Sequence, residues 1–168
     1  MRTVTLGLAV SLDNFIARED HAVDWLFWSK DIAEISAEYW KTIDTVMMGR
    51  KTFEVAKKTA YPGVANYVFS RTLKESKGVT IVDSDPAELV RELKGQPGKG
   101  ICVMGGGEVA KPLFDGGVID EVAINVHPVL LGKGIPLFHG LERQLDLSLL
   151  ECRVLQRECV LLRYRVKP

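Results

Sequence analysis

Apolar positions fall in short blocks separated by polar stretches, and two periods alternate along the chain. "VTLGLAV" (4–10) is nearly continuous in apolar residues, the pattern of a strand buried on both faces. "SLDNFIAREDHAVDW" (11–25) is then a long polar connection of the kind that often carries function. "SKDIAEISAEYWKTI" (29–43) switches to the helical period, with Ile32, Ile35, Tyr39 and Ile43 on one face and Ser29 as the expected N-cap. "TVMMG" (45–49) reads as a buried strand and "RKTFEVAKK" (50–58) as the helix after it. "NYVFS" (66–70) and "VTIV" (79–82) are further strands. "DPAELVREL" (85–93) starts a helix with Asp85 as N-cap and Pro86 at the first helical position.

"GICVM" (100–104) predicts another strand, and "GEVAKPLFDGG" (107–117) a helix stopped by Gly116 and Gly117 and interrupted at Pro112. "IDEVAINVHPVLL" (119–131) predicts a longer strand. The last stretch, "DLSLLECRVLQRECVLLRYRV" (146–166), reads as two strands turning near Gln156. Alternating strands and helices predict an α/β domain around a largely parallel sheet. The final antiparallel hairpin makes that sheet mixed. No repeat, low-complexity tract or long linker interrupts residues 1–168, so one domain is expected.

Composition narrows the functional classes. Hydrophobic residues make up 46% of 168, enough for a packed core. Lys+Arg and Asp+Glu are both 22, and a net charge of zero argues against a general nucleic-acid or anionic-membrane binder. Cys102, Cys152 and Cys159 match no metal or redox spacing and read as small buried hydrophobes in a reducing cytoplasm. The N-terminus reads as a first strand rather than a signal peptide, and no segment has membrane-span length. A cytoplasmic protein without a metal is the expectation.

Chemistry collects at predicted strand ends. Gly105, Gly107 and Ala110 fit G-x-G-x-x-A between a strand and a helix, the context of a dinucleotide fingerprint. The next strand offers Asn125 and His127 where a Rossmann domain would place a ribose-binding acid. A tight turn without ligand is the plain alternative. "MMGRKTF" (47–53) again puts glycine between strand and helix, and Arg50, Lys51 and Thr52 follow. Cations oppose the dipole at a helix start, so they make sense there if an anion lies between; the alternative is a solvated pair. "VFSRT" (68–72) ends a strand on Ser70 and Arg71. Ligands gather at the carboxyl ends of such strands, so one anion site can use all three.

Together, "SLDNFIA", "MMGRKTF", "VFSR", "VMGGGEVAKPLF" and "HPVLLGKGIPLF" resemble the dihydrofolate reductase-like family, in the branch of the riboflavin-biosynthesis reductase domain. The resemblance implies a dihydrofolate reductase-like three-layer fold and an NADPH-dependent reductase acting on a pterin-, pyrimidine- or similar heterocyclic substrate. It implies Gly105, Gly106, Gly107, Glu108 and Val109 against the cofactor, with a cis Gly105–Gly106 bond. It further implies Gly49, Arg50, Lys51 and Thr52 on the diphosphate and adenosine phosphate, Ser70 and Arg71 on the 2′-phosphate, and Ala9 and Ile16 at the nicotinamide. A homodimer is implied as well.

Asn14 stands where that branch has glycine, a position asparagine tolerates at positive φ. Candidate proton donors are Asp13, Asp24, Asp31 and His127; Asp13 matches the family best and is the expected catalytic residue, with a turn-forming role as its alternative. Asn14, Trp25 and Phe53, with Trp28 beside them, are the expected substrate contacts; ordinary packing is the alternative. His21 and His139 read as surface residues. A catalytically silent nucleotide-binding module of the same fold is the alternative function.

Overall fold

The computed structural model describes residues 1–168. The chain opens with β1 (Val4–Ser11) and β2 (Phe15–Ala17), followed by α1 (Lys30–Trp40) and β3 (Ile43–Gly49). Next come α2 (Arg50–Val55), β4 (Ala65–Phe69), β5 (Thr80–Val82), α3 (Pro86–Lys94) and β6 (Gly100–Val103). Then follow α4 (Gly107–Asp115), β7 (Glu121–His127), β8 (Ile135–Pro136), β9 (Leu147–Val154) and β10 (Val160–Val166). The large sheet has the order β5-β4-β3-β6-β1-β7-β10-β9. Strands β5 to β7 pair in parallel. β10 pairs antiparallel with both β7 and β9, so the expected mixed, mostly parallel sheet and its C-terminal hairpin are present.

Parallel strands need cover on both faces, and alternation along β3 supplies the apolar side chains for it. Met47 joins Leu6, Val90 and Leu113 in the core shared with α3 and α4. Val46 and Met48 point the other way and pack with Phe53 of α2 and Tyr39 of α1. These are the three layers. A smaller cluster of Ile32, Leu155, Cys159 and Leu161 seats the start of α1 against the β9–β10 turn.

Local chemistry sets most helix starts as expected, with one exception. Asp85 caps α3 by accepting from Ala87 N at 2.8 Å. Ser29 does not cap α1; its hydroxyl donates to Asp31, whose carboxylate takes Ile32 N at 2.9 Å. α4 continues through Pro112, whose carbonyl still receives Gly116 N at 2.9 Å. Ile43 lies in β3, not on α1. Cys102 and Cys159 are buried as expected, whereas Cys152 is exposed. No helix is long and apolar enough to cross a membrane, and no group of His, Cys, Asp or Glu is arranged to hold a metal ion.

The long polar connection contains an element that the hydrophobic pattern does not reveal. β2 pairs antiparallel with β8, forming a separate two-stranded ribbon. Asn14 ends the tight turn before β2, its N–H donating to Ser11 O at 2.9 Å and its φ at +68°, so asparagine does replace glycine there. Gly134 lets the two strands meet: a Cβ on it would stand 2.3 Å from Ala17 O. Gly134→Ala is therefore expected to lower stability by about 1–3 kcal/mol through overpacking against backbone, read as a lower melting temperature. An unchanged melting temperature would contradict this ribbon geometry.

Candidate functional site

Parallel register brings the three predicted strand ends to one edge. Val46 stands beside Cys102 and Met47 beside Val103, while Gly49 stands beside Phe69. The chain therefore leaves β3 at Gly49, β4 before Ser70, and β6 before Met104 and Gly105 on the same side of the sheet. A continuous cleft of ≈ 2270 Å³ begins there and runs along the sheet face beneath α1. Ordinary ligand pockets hold about 300–1,000 Å³, so this cleft has room for two ligands side by side.

Ala9, Ile16, Gly49, Arg50, Lys51 and Thr52 all line it. So do Ser70, Arg71, Gly105, Gly106, Gly107, Glu108 and Val109. Gly105 and Gly106 have φ of +92° and +95°, values costly for any side chain. The bond between them is trans, not cis, and positive φ at both residues makes the turn instead. A Cβ on Gly106 would lie 3.6 Å from Thr52 Oγ1 and 3.9 Å from Gly49 Cα, so the two glycine turns face each other closely. Neither the Gly105 nor the Gly106 N–H has an acceptor in the chain, and both stand just ahead of α4. Free N–H groups at a helix start favour an anion.

The cations around this turn differ in availability. Arg50 donates to Glu54 at 2.6 Å, and its guanidinium holds the Glu54 carboxyl below the usual carboxylate range. Lys51 is 3.8 Å from the same carboxylate. Arg71 is exposed and forms no ion pair. Its neighbour Ser70 accepts Thr72 N at 3.2 Å and Leu73 N at 2.9 Å, which folds the loop and fixes where Arg71 emerges. Glycine backbone, free N–H groups, a threonine hydroxyl and a free arginine form a donor set that suits a phosphorylated dinucleotide.

The expected catalytic and substrate residues lie elsewhere. Asp13 is outside the cleft lining. Its carboxylate accepts from Ser11 Oγ at 2.6 Å, Leu131 N at 3.1 Å and Gly132 N at 2.8 Å, tying the first turn to the loop before β8. These bonds, led by Ser11, hold its pKa below the ordinary carboxylate value. A carboxylate kept ionised is a poor acid, so the geometry is that of a clamp. Asp24 pairs with Arg18 at 2.6 Å at the surface. Asp31 accepts Gln156 N at 2.7 Å and fastens α1 to the β9–β10 turn.

His127 is 1% exposed, lies between Trp25 and Phe27, and does not line the cleft. Phe53 is fully buried in the core and does not line the cleft. Trp25 packs edge-on to His127, with ring centroids 5.4 Å apart, and Asn14 serves its turn; neither lines the cleft. Trp28 does line it, 72% exposed.

Three further residues line the cleft to which the sequence assigned no site role. Tyr39 counted as one apolar position of α1, yet its hydroxyl is buried without a hydrogen-bond partner. Burial pushes the phenol's pKa upward, so Tyr39 stays neutral. Asn125 Oδ1 is likewise buried and unpartnered. His139 is exposed but stands over the glycine turn: a Cβ on Gly107 would lie 2.7 Å from its Nε2. For Tyr39 and Asn125 the signal was a helix or strand period combined with a polar atom on an inward face, whereas His139 lies in a loop and gave no such signal.

The sequence matches the RibD C-terminal domain over residues 2–161. It is 36% identical over 155 residues to the uncharacterised protein YwjB of Bacillus subtilis (strain 168), covering 88% of this chain and 89% of that one. Among solved structures, a candidate riboflavin biosynthesis protein from Shewanella sp. PV-4 superposes with a TM-score of 0.85 at 24% identity, covering 100% of both chains. Dihydrofolate reductase from Enterococcus faecalis, complexed with NADP(H), superposes with a TM-score of 0.75 at 17% identity, covering 99% of this chain and 97% of that one. At these identities the structural likeness establishes the fold.

The Asp13 clamp has a pH signature. A carboxyl whose folded pKa is depressed stabilises the fold above its unfolded value, about 3.9, and the contribution is lost as pH falls through the folded pKa. Asp13→Asn should therefore lower the melting temperature at neutral pH, with the gap to wild type closing in strong acid. A gap that persists unchanged below about pH 2 would show that the carboxylate's charge is not what matters.

Proposed function

The chain belongs to the RibD C-terminal domain family, and from that premise we propose that it is an NADPH-dependent reductase of a small heterocycle. The observation that carries this reading is the meeting of Gly49–Thr52, Ser70–Arg71 and Gly105–Val109 at one end of a cleft large enough for two molecules. Bound there, NADPH would supply a hydride to a C=N or C=O group of a pterin- or pyrimidine-like ring. The residues of this chain do the rest. Gly105 and Gly106 N–H groups and the Thr52 hydroxyl hold the diphosphate. Arg71 and Ser70 hold the 2′-phosphate. Ala9 and Ile16 give the nicotinamide a flat, apolar seat. α1 covers the cleft and limits water around the accepting carbon.

Proton supply is where a second reading gains support. Asp13, Asp24 and Asp31 are each engaged in turns or ion pairs, which suits a nucleotide-binding module without catalysis. Within the reductase reading the proton comes from a water molecule in the cleft, because burial pushes the Tyr39 phenol up and makes it a weaker acid than a free tyrosine. Turnover of dihydropterins or aminopyrimidine ribosyl compounds separates the two readings, since the silent module oxidises no NADPH with any of them.

NADPH titration followed by tryptophan fluorescence should give clearly tighter binding than NADH. One phosphate contact to a charged side chain contributes about 1.5–3 kcal/mol, so the ratio should be at least about tenfold. Arg71→Ala should shrink that ratio. Equal affinity for the two cofactors, or none for either, would contradict the proposed site.

The dimer belongs to the same proposal. β9 is an edge strand paired only with β10, and Leu147, Leu149, Leu150 and Val154 are exposed on it. An apolar edge of this kind needs cover, and a second copy across a two-fold axis provides it. Light scattering should report two chains of 18.7 kDa, with Leu149→Lys shifting the mass to one. A wild-type monomer at micromolar concentration would contradict the dimer.

A further inference from the structure

Gly105 and Gly106 are glycines because their φ is positive, but Gly107, the first residue of α4, has no such φ. What a side chain there would meet is His139. A Cβ on Gly107 would lie 2.7 Å from His139 Nε2, 2.9 Å from its Cδ2 and 3.4 Å from Pro136 O. The Nε2–Cδ2 edge of the ring therefore rests on the first turn of α4, and the third glycine is what admits it.

Contacts on both sides hold His139 in this place. Leu137 is 1% exposed, and Phe138 packs edge-on to Phe114 of α4 with ring centroids 5.7 Å apart. After the histidine, Gly140 turns at φ of +63° against the Lys111 side chain. Glu142 N then donates to Asp115 at 3.4 Å, and the Glu142 carboxylate lies 3.3 Å from Lys111 Nζ. The segment is fastened to α4 before and after a residue whose own ring is exposed.

The turn beneath the ring is rich in unused donors. The N–H groups of Gly107 and Glu108, like those of Gly105 and Gly106, have no acceptor in the chain. His139 and these four residues line the same cleft. A cation beside free N–H groups at a helix start is unfavourable, and an anion between them reverses the sign. Histidine is the side chain that can be neutral or cationic between about pH 5 and 8, and both its nitrogens donate once it is charged.

The charged groups on the surrounding elements have other engagements. Lys111 of α4 pairs with Asp115 and Glu142. Arg50 and Lys51, across the turn on α2, both face Glu54. Arg143 stands beside Gly117, past the far end of α4, and β8 brings no charge. Glu108 is exposed on the same turn and its carboxylate can only accept.

We propose that His139 is a further cofactor-binding residue, which grips the diphosphate as an imidazolium through Nε2–H, so that dinucleotide binding takes up a proton from solvent. The proposal rests on the reductase reading, in which the anion at this turn is the diphosphate of NADPH. By linkage, binding that takes up a proton tightens as pH falls.

Calorimetry with NADPH at pH 6 and pH 8 on wild type, His139→Gln and His21→Gln tests this without turnover. The 2′-phosphate titrates at about pH 6 whichever protein binds it, so the difference between proteins isolates the side chain. On going from pH 8 to pH 6, wild type should gain about fivefold more affinity than His139→Gln, the upper range for an exposed ion pair. At pH 8 the two should bind alike. Wild type should also take up a larger fraction of a proton, read from titrations in buffers of different ionisation enthalpy. His21→Gln, which alters the other histidine lining the cleft, should behave as wild type.

Identical pH profiles for wild type and His139→Gln, a loss of affinity in His139→Gln that is the same at both pH values, or a His21→Gln profile that matches His139→Gln would each overturn the proposal. NADPH binding with any of these results sinks this proposal alone. Failure of NADPH to bind at either pH sinks the reductase reading and this proposal with it.

Discussion

The parallel pairing of β4, β3, β6 and β1 is the constraint on which the rest of this structure depends. Parallel strands all end at the same edge, so their exits to the following loops and helices cluster there. In this chain those exits are Gly49, Ser70 and Gly105, separated by 56 positions in sequence from first to last and by little in space. Burial on both faces fixes the register. A slip of one residue in β3 would turn Val46 and Met48 from the α1–α2 layer to the α3–α4 layer. The same packing that stabilises the sheet therefore aligns the site.

Glycine at the two turns follows from that alignment. The turn before α4 must reverse direction within Gly105 and Gly106 while facing Gly49 and Thr52 across a narrow gap. Positive φ at both residues makes the reversal, and absent side chains leave the gap open. The price is conformational entropy, offset by the core beneath: Val109 and Leu113 of α4 sit in the main cluster with Leu6 and Val103. On the other side of the sheet, small residues have a different effect. Gly7, Ala9 and Ala123 leave a hollow below α1 that larger side chains would have filled.

Much of this was legible in the sequence because strand and helix periods are local. The strand blocks, the Asp85 cap and the glycine-bearing strand ends all depend on residues within one turn or one strand. The β2–β8 ribbon was not legible. It joins strands of three and two residues, too short to show a period, through pairings more than 100 positions apart. Asp13 illustrates the same limit: its motif was visible, but its engagement by Leu131 and Gly132 N–H groups was not. Phe53 and Trp25 lie outside the cleft lining, which the sequence could not show, because aromatic character says that a residue is buried, not whether a core or a cleft buries it. Tyr39 and Asn125 carry polar atoms at apolar positions of their period, and only the fold shows that those atoms are buried without a partner.

The central claim is that three separate strand ends form one dinucleotide site. Amide hydrogen exchange with and without NADPH tests it directly, because each segment reports on its own backbone. The account predicts that peptides covering 49–52, 70–72 and 105–109 become protected together at the same NADPH concentration, while the β9–β10 hairpin does not change. Protection confined to one of the three segments, or absent from all of them, would contradict it.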